Sequence, residues 1–125
     1  MPANEWSVRI VSAGTVGAAF EPRVPGGTPG SQLLAQAGDV VTWGNATDET
    51  HQPWPLDANG HPLPAANPPS ATPGYMSDPI VAQGSSQPRY VIAVGETVGA
   101  VIDYCCLTHF NVPGRPPERG SIKVF

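Results

Sequence analysis

The chain has 125 residues, 13% of them charged, and a net charge of -4. That length suits one domain spanning residues 1–125 with a core that needs no disulfide staples, and so few Lys and Arg exclude a nucleic-acid footprint. The 14 glycines and 16 prolines argue against long helices and for short strands joined by turns, which makes the class all-β.

In chain order, Met1-Pro2-Ala3-Asn4-Glu5 lacks the basic and apolar regions of a secretory signal. The expectation is a cytoplasmic chain or an exported one whose leader has been removed. Trp6-Ser7-Val8-Arg9-Ile10-Val11 alternates apolar with polar residues as a half-buried strand does, and Phe20-Glu21-Pro22 starts a second extended piece. Val24 to Gly30 is turn by composition. Ser31 to Gln36 reads as a short strand, and Val40-Val41-Thr42-Trp43-Gly44-Asn45, rich in β-branched and aromatic residues, as the clearest strand of the first half. Between Gln52 and Gln87 lies a long loop, because eight prolines from Pro53 to Pro79 oppose a central strand or a regular helix. Strands resume over Pro88–Val94 and Thr97–Tyr104, and Gly120–Phe125 closes the chain. No run approaches the roughly 18 continuous apolar residues of a membrane span.

The C-terminal stretch Tyr104-Cys105-Cys106-Leu107-Thr108-His109 carries the chemistry. A thiolate and an imidazole a few residues apart, at the end of an apolar strand, can converge on one metal ion, and sulfur beside imidazole favours copper or zinc. Adjacent cysteines are not a disulfide framework, since a vicinal bridge strains the intervening peptide. Both are therefore read as thiols, and alternation along a strand sends them to opposite faces.

Gly38-Asp39-Val40-Val41-Thr42-Trp43-Gly44-Asn45 leading to His51, then Tyr104 to His109, then a terminal Gly-x-Ile-x-Val strand, resembles the cupredoxins, and among them the plastocyanin group. The match covers residues 20–51 and 88–125; the proline-rich middle matches nothing in the family. The resemblance implies a Greek-key β-sandwich of six to eight strands with one mononuclear copper site at one end. It implies His51, Cys106 and His109 as a trigonal ligand set, Cys106 rather than Cys105 because the family spacing is Cys-x-x-His. It further implies one-electron transfer to a transient redox partner protein, with His109 exposed beside Phe110 and Val112 as the electron port and Pro53, Trp54 and Pro55 extending that patch. A periplasmic or extracellular location follows from the family, with a cytoplasmic one as the alternative.

This sequence departs from the family at the weak axial position, where a Met is usual. Counted back from Gly120, that slot holds Glu118, after an insert running from Phe110 to Pro117. Glu49, Gln52 and Met76 are weaker axial candidates, and His61 is read as a loop residue. Asn45-Ala46-Thr47 fits a glycosylation sequon, but Asn45 is expected instead to tie the two ligand loops together. A red or green copper protein binding a small molecule such as nitric oxide, a copper carrier, a zinc protein and a metal-free interaction domain are the rival readings.

Overall fold

The structure, a computed structural model, describes residues 4–13, 17–110, 112–114 and 118–125. Met1 and, within the expected insert, Asn111 and residues 115–117 lie outside the described residues. Among the described residues there are eight strands: β1 (Glu5–Ser12), β2 (Ala18–Pro22), β3 (Leu33–Ala35), β4 (Val40–Asn45), β5 (Pro53–Pro55), β6 (Tyr90–Val91), β7 (Val101–Cys106) and β8 (Arg119–Val124). They form two four-stranded sheets, ordered β2-β1-β4-β6 and β3-β8-β7-β5. The result is a β-sandwich, as expected. Among the described residues no helix is long and apolar enough to cross a membrane.

Side-chain alternation builds the core between the sheets. On β4 the residues Val41, Trp43 and Asn45 are buried while their neighbours are half-buried, so one face of the strand points inward. Val8, Ile10, Phe20, Val41 and Trp43 meet Leu33, Ala35, Tyr104, Ile122 and Val124 from the opposite sheet. Tyr104 is the hub of this contact. Its ring stands edge-on to Trp43 at 5.4 Å and to Phe20 at 4.8 Å, geometries that aromatic quadrupoles favour. The Trp43 indole donates to the Tyr104 hydroxyl at 3.2 Å, so both polar atoms of the pair are satisfied inside the core.

Opposite Tyr104 on β8 lies Gly120, where an added Cβ would collide with the tyrosine ring. Only a residue without a side chain lets β8 pass so close. The first sheet has its own clasp in buried Asp39. Its carboxylate accepts from the Trp6 indole at 2.8 Å, from Gln36 N at 2.8 Å and from Asn4 N at 3.1 Å. Burial alone would raise its pKa, but these donors outweigh burial and hold the carboxyl below the usual range. The clasp ties the start of β1 to the turn that launches β4, and the two strands then run parallel from Glu5 opposite Val40 to Ile10 opposite Asn45.

Three elements differ from the sequence expectation. The long loop contains a strand after all, because Pro53, Trp54 and Pro55 pair with Cys106, Cys105 and Tyr104. It sits at the sheet edge, where a proline's missing N–H removes no ladder bond. The expected strand at Pro88–Val94 contracts to Tyr90–Val91, since Ile92 turns inward and Glu96 N closes a turn on Ala93 O at 3.0 Å. The expected Thr97–Tyr104 strand is displaced to Val101–Cys106, because Gly99 at φ 93° makes the turn before it.

Trp43→Ala should cost about 3–5 kcal/mol, in line with other large-to-small core changes. Denaturant titration of the metal-free protein measures it, and an unmoved midpoint would contradict the packing of Trp43 on Tyr104.

Candidate metal centre

β4 and β7 end, and β8 begins, at the same end of the sandwich. There Cys106 N donates to Glu118 O at 2.9 Å and Leu107 N to Gln52 O at 2.9 Å, which extends the ladder on both sides of β7. His51 is fixed by a two-way backbone bridge, His51 N to Ile80 O at 3.0 Å and Ile80 N to His51 O at 2.7 Å. After Cys106 a single 3-10 turn, Leu107–His109, brings the second imidazole back over the sulfur. Glu118 enters from the residue before β8.

These four side chains converge. Glu118 Oε1 lies 3.1 Å from His51 Nδ1 and 3.2 Å from His109 Nδ1, while Cys106 Sγ lies 3.4 Å from each of the same two nitrogens. One donor atom from each residue falls within 4.8 Å of every other. Four ligands at the usual 2.0–2.3 Å from one transition-metal ion would stand roughly 3.3–3.8 Å apart at tetrahedral angles, so the donor set is close to a metal's needs in spacing and fits in chemistry. All four residues are buried: Cys106 and His51 are 0% exposed, Glu118 3% and His109 9%.

The surroundings orient the donors. Gln52 N approaches Cys106 Sγ at 3.5 Å, a backbone N–H aimed at the sulfur. His51 Nε2 lies 2.9 Å from the Thr47 hydroxyl, and His109 Nε2 lies 3.8 Å from a Glu49 carboxylate oxygen. Burial pulls the His51 pKa down, but hydrogen bonds to Cys106 and Glu118 and the charges of both outweigh it and carry it up to about 9. Cys105 points the other way from its neighbour. It is buried beside Trp54 in the β5–β7 register, and burial, reinforced by the nearby Cys106, pushes its thiol up to about 12. That keeps it protonated and inert.

His51, Cys106, His109 and Glu118, all expected from the sequence, are therefore brought together, and Glu118 Oε1 approaches the imidazoles as closely as the sulfur does. The weaker axial candidates fall elsewhere. Met76 packs in the core, the Gln52 side chain donates to Ser77 O at 3.0 Å, and Glu49 stands behind His109. His61 is exposed. The expected electron port needs correction. His109 is largely enclosed rather than exposed, and Pro53, Trp54 and Pro55 are buried, because Trp54 turns inward to give its indole N–H to Leu63 O at 2.8 Å and stacks edge-on against Tyr75. Asn45 also differs. Its amide donates to Glu49 O at 2.6 Å, Ile80 O at 3.0 Å and Val81 O at 3.2 Å, so it ties the His51 loop to residues 80–81 and not to the Cys106 loop. Thr47 was not picked out by sequence reasoning. Its only signal is a hydroxyl four residues before His51.

No protein-family model and no curated protein matches this sequence. Among solved structures, a multicopper oxidase from Campylobacter jejuni, described as a metallo-oxidase, superposes with a TM-score of 0.53 at 14% identity over 97% of this chain. The fold is cupredoxin-like. The chain spans 25% of that oxidase's length. Lac15 from a marine microbial metagenome gives a TM-score of 0.49 at 16% identity, over 98% of this chain and 32% of its own. The His-Cys-His-Glu cluster at the end of the sandwich could hold a metal ion.

In the metal-free protein the proton on His51 adds stability that is complete below pH 6.5 and lost as the pH rises through about 9. A metal must displace that proton. Zinc affinity, measured by competition with a chelator at several pH values, should therefore rise across this window and level off above it; an affinity flat in pH would mean that His51 is not a ligand.

Proposed function

We propose that the chain, folded as one domain, binds a single copper ion through His51, Cys106, His109 and Glu118 and carries one electron at a time to a transient protein partner. The observation that carries this reading is the approach of the Glu118 oxygen to both Nδ1 atoms, at 3.1 and 3.2 Å, the same two nitrogens that the sulfur of Cys106 approaches at 3.4 Å. Support for copper comes from the soft sulfur with two imidazoles, from the cupredoxin-like sandwich, and from a structural neighbour named as a multicopper oxidase. When bound, copper supplies a one-electron couple.

The protein's part is positioning and electrostatics. Cys106 and Glu118 each bring a negative charge to a site shut off from water, so together they balance a divalent ion and leave an excess negative charge beside a monovalent one. In a low-dielectric setting that imbalance is expensive. Glu118 should thus favour the oxidised state and lower the reduction potential. A hard oxygen competing with the thiolate would also draw a bound copper away from the trigonal geometry of intense blue centres and would give a red or green colour. Strand ends and backbone bonds hold the donors in place, so little has to move when the charge changes. Of the four residues His109 retains the most exposure, 9%, and its edge, next in the chain to half-buried Phe110 and near exposed Val112, is the approach for a partner. The brief encounter this requires is at the small end of protein interfaces. A periplasmic or extracellular setting agrees with such a carrier.

The absorption and electron spin-resonance spectra of the copper(II)-loaded protein test this. Cys106→Ser should abolish the visible charge-transfer band and Cys105→Ser should leave it nearly unchanged; colour lost only in the Cys105 variant would reverse the assignment. An intense band that shifts on adding azide or nitric oxide would favour an open, ligand-binding centre over a carrier.

Glu118→Met should turn the spectrum blue and raise the reduction potential, because a neutral thioether stabilises copper(I) relative to a carboxylate. Glu118→Gln keeps an oxygen without its charge, and its potential should fall between the two. Voltammetry of the three proteins decides the matter, since one shared potential would remove Glu118 from the ligand set.

A further inference from the structure

Thr47 is 5% exposed and belongs to no strand, yet its hydroxyl sits within 2.9 Å of His51 Nε2, the ring nitrogen turned away from the donor cluster. The direction of the hydrogen bonds around it can be worked out from the far end. The Asn45 amide nitrogen faces three carbonyl oxygens, of Glu49, Ile80 and Val81, and a carbonyl only accepts. Asn45 Oδ1 must then point the other way, toward Thr47, where it accepts from Thr47 N at 3.0 Å and lies 2.7 Å from Thr47 Oγ1. Because Oδ1 cannot donate, the Thr47 hydroxyl gives its proton to Asn45. The Thr47 oxygen is left as an acceptor, so His51 Nε2 must carry a hydrogen.

We propose that Thr47 is a positioning residue that keeps the proton of His51 on Nε2 and thereby leaves Nδ1 free to face Cys106, His109 and Glu118. This rests on the reading that those four residues hold a metal. Without Thr47, a neutral His51 would lose the hydroxyl that faces its Nε2, and its ring would favour placing the proton on Nδ1, against Glu118 Oε1 at 3.1 Å. That arrangement blocks the metal-facing nitrogen. Hydrogen-bond partners behind a ligating histidine generally fix its tautomer and ring orientation, and their loss weakens metal binding by about 10–100-fold. Here the relay runs further than a single partner. Through Asn45 it anchors the His51 ring to residues 80–81, the same segment that bridges the His51 backbone.

The test uses the full chain with 15N-labelled histidine and zinc as a diamagnetic probe. In the wild type, long-range proton–nitrogen spectra of the zinc-loaded protein should show His51 with a proton on Nε2 that exchanges slowly with water. Thr47→Val keeps the shape but cannot accept the bond; zinc affinity should drop about 10–100-fold and the Nε2 proton should exchange freely. Thr47→Ser restores the hydroxyl and should recover both. A zinc-loaded wild-type spectrum with His51 protonated on Nδ1 would overturn the proposal even if the valine variant failed to fold, as would a folded valine variant that binds zinc as the wild type does. If the wild type takes up no zinc, the metal reading fails, and slow exchange of the Nε2 proton in the metal-free wild type and serine variant, lost in the valine variant, still decides what Thr47 does.

Discussion

The backbone bond from Cys106 N to Glu118 O, 2.9 Å long, is the constraint on which the site depends. It is the last rung of the β7–β8 ladder, and it sets the only cysteine of the cluster beside the only carboxylate. On the other side of β7 the rung from Leu107 N to Gln52 O brings in the residue next to His51. Two rungs on one strand therefore gather three of the four donors, and the 3-10 turn supplies the fourth within three residues. The donors need no flexible reach from long loops, which is why both Nδ1 atoms can be held 3.1–3.4 Å from the sulfur and the carboxylate oxygen before any ion arrives.

Such closeness has an electrostatic cost that the surroundings offset. To hold a metal, a thiolate and a carboxylate would have to stand side by side with little water to solvate them. The His51 imidazole takes up a proton well above its ordinary range and so supplies a cation in the metal-free state. A metal ion replaces the proton without changing the logic of the site, since a positive centre among the same four atoms is what the environment already favours. Cys105, one residue away, is kept out of this arrangement by strand alternation alone.

Much of the sandwich was legible because its strands obey simple periodicity: Trp43 lies inward where alternation puts it, and the Cys106–His109 spacing predicts a shared centre. Glu118 was legible only by counting back from Gly120, a register argument that holds because β8 continues straight from the site into the core. The β5 strand was not legible, since proline is a poor strand former in every position except an edge, and edges are defined by the partner strands. Thr47 escaped for a similar reason. Its role depends on which way the Asn45 amide turns, and that is decided by carbonyls at Glu49, Ile80 and Val81, two of them more than thirty residues away.

The close passage of β8 over Tyr104 carries one more consequence, for how such a protein can vary. Gly120 has no room for a side chain, and it stands two residues from Glu118, which immediately precedes the strand. A substitution there would push β8 off the Trp43–Tyr104 pair and drag the carboxylate with it. Position 118, by contrast, has its backbone pinned by Cys106 and only its side chain exposed to choice. Diversification of the centre is thus channelled to a single side chain, with its neighbour two steps along acting as the fixed pivot: donors can be exchanged at 118 while the frame stays still, and the inheritance of this fold separates the tuning of the ion from the upkeep of the core.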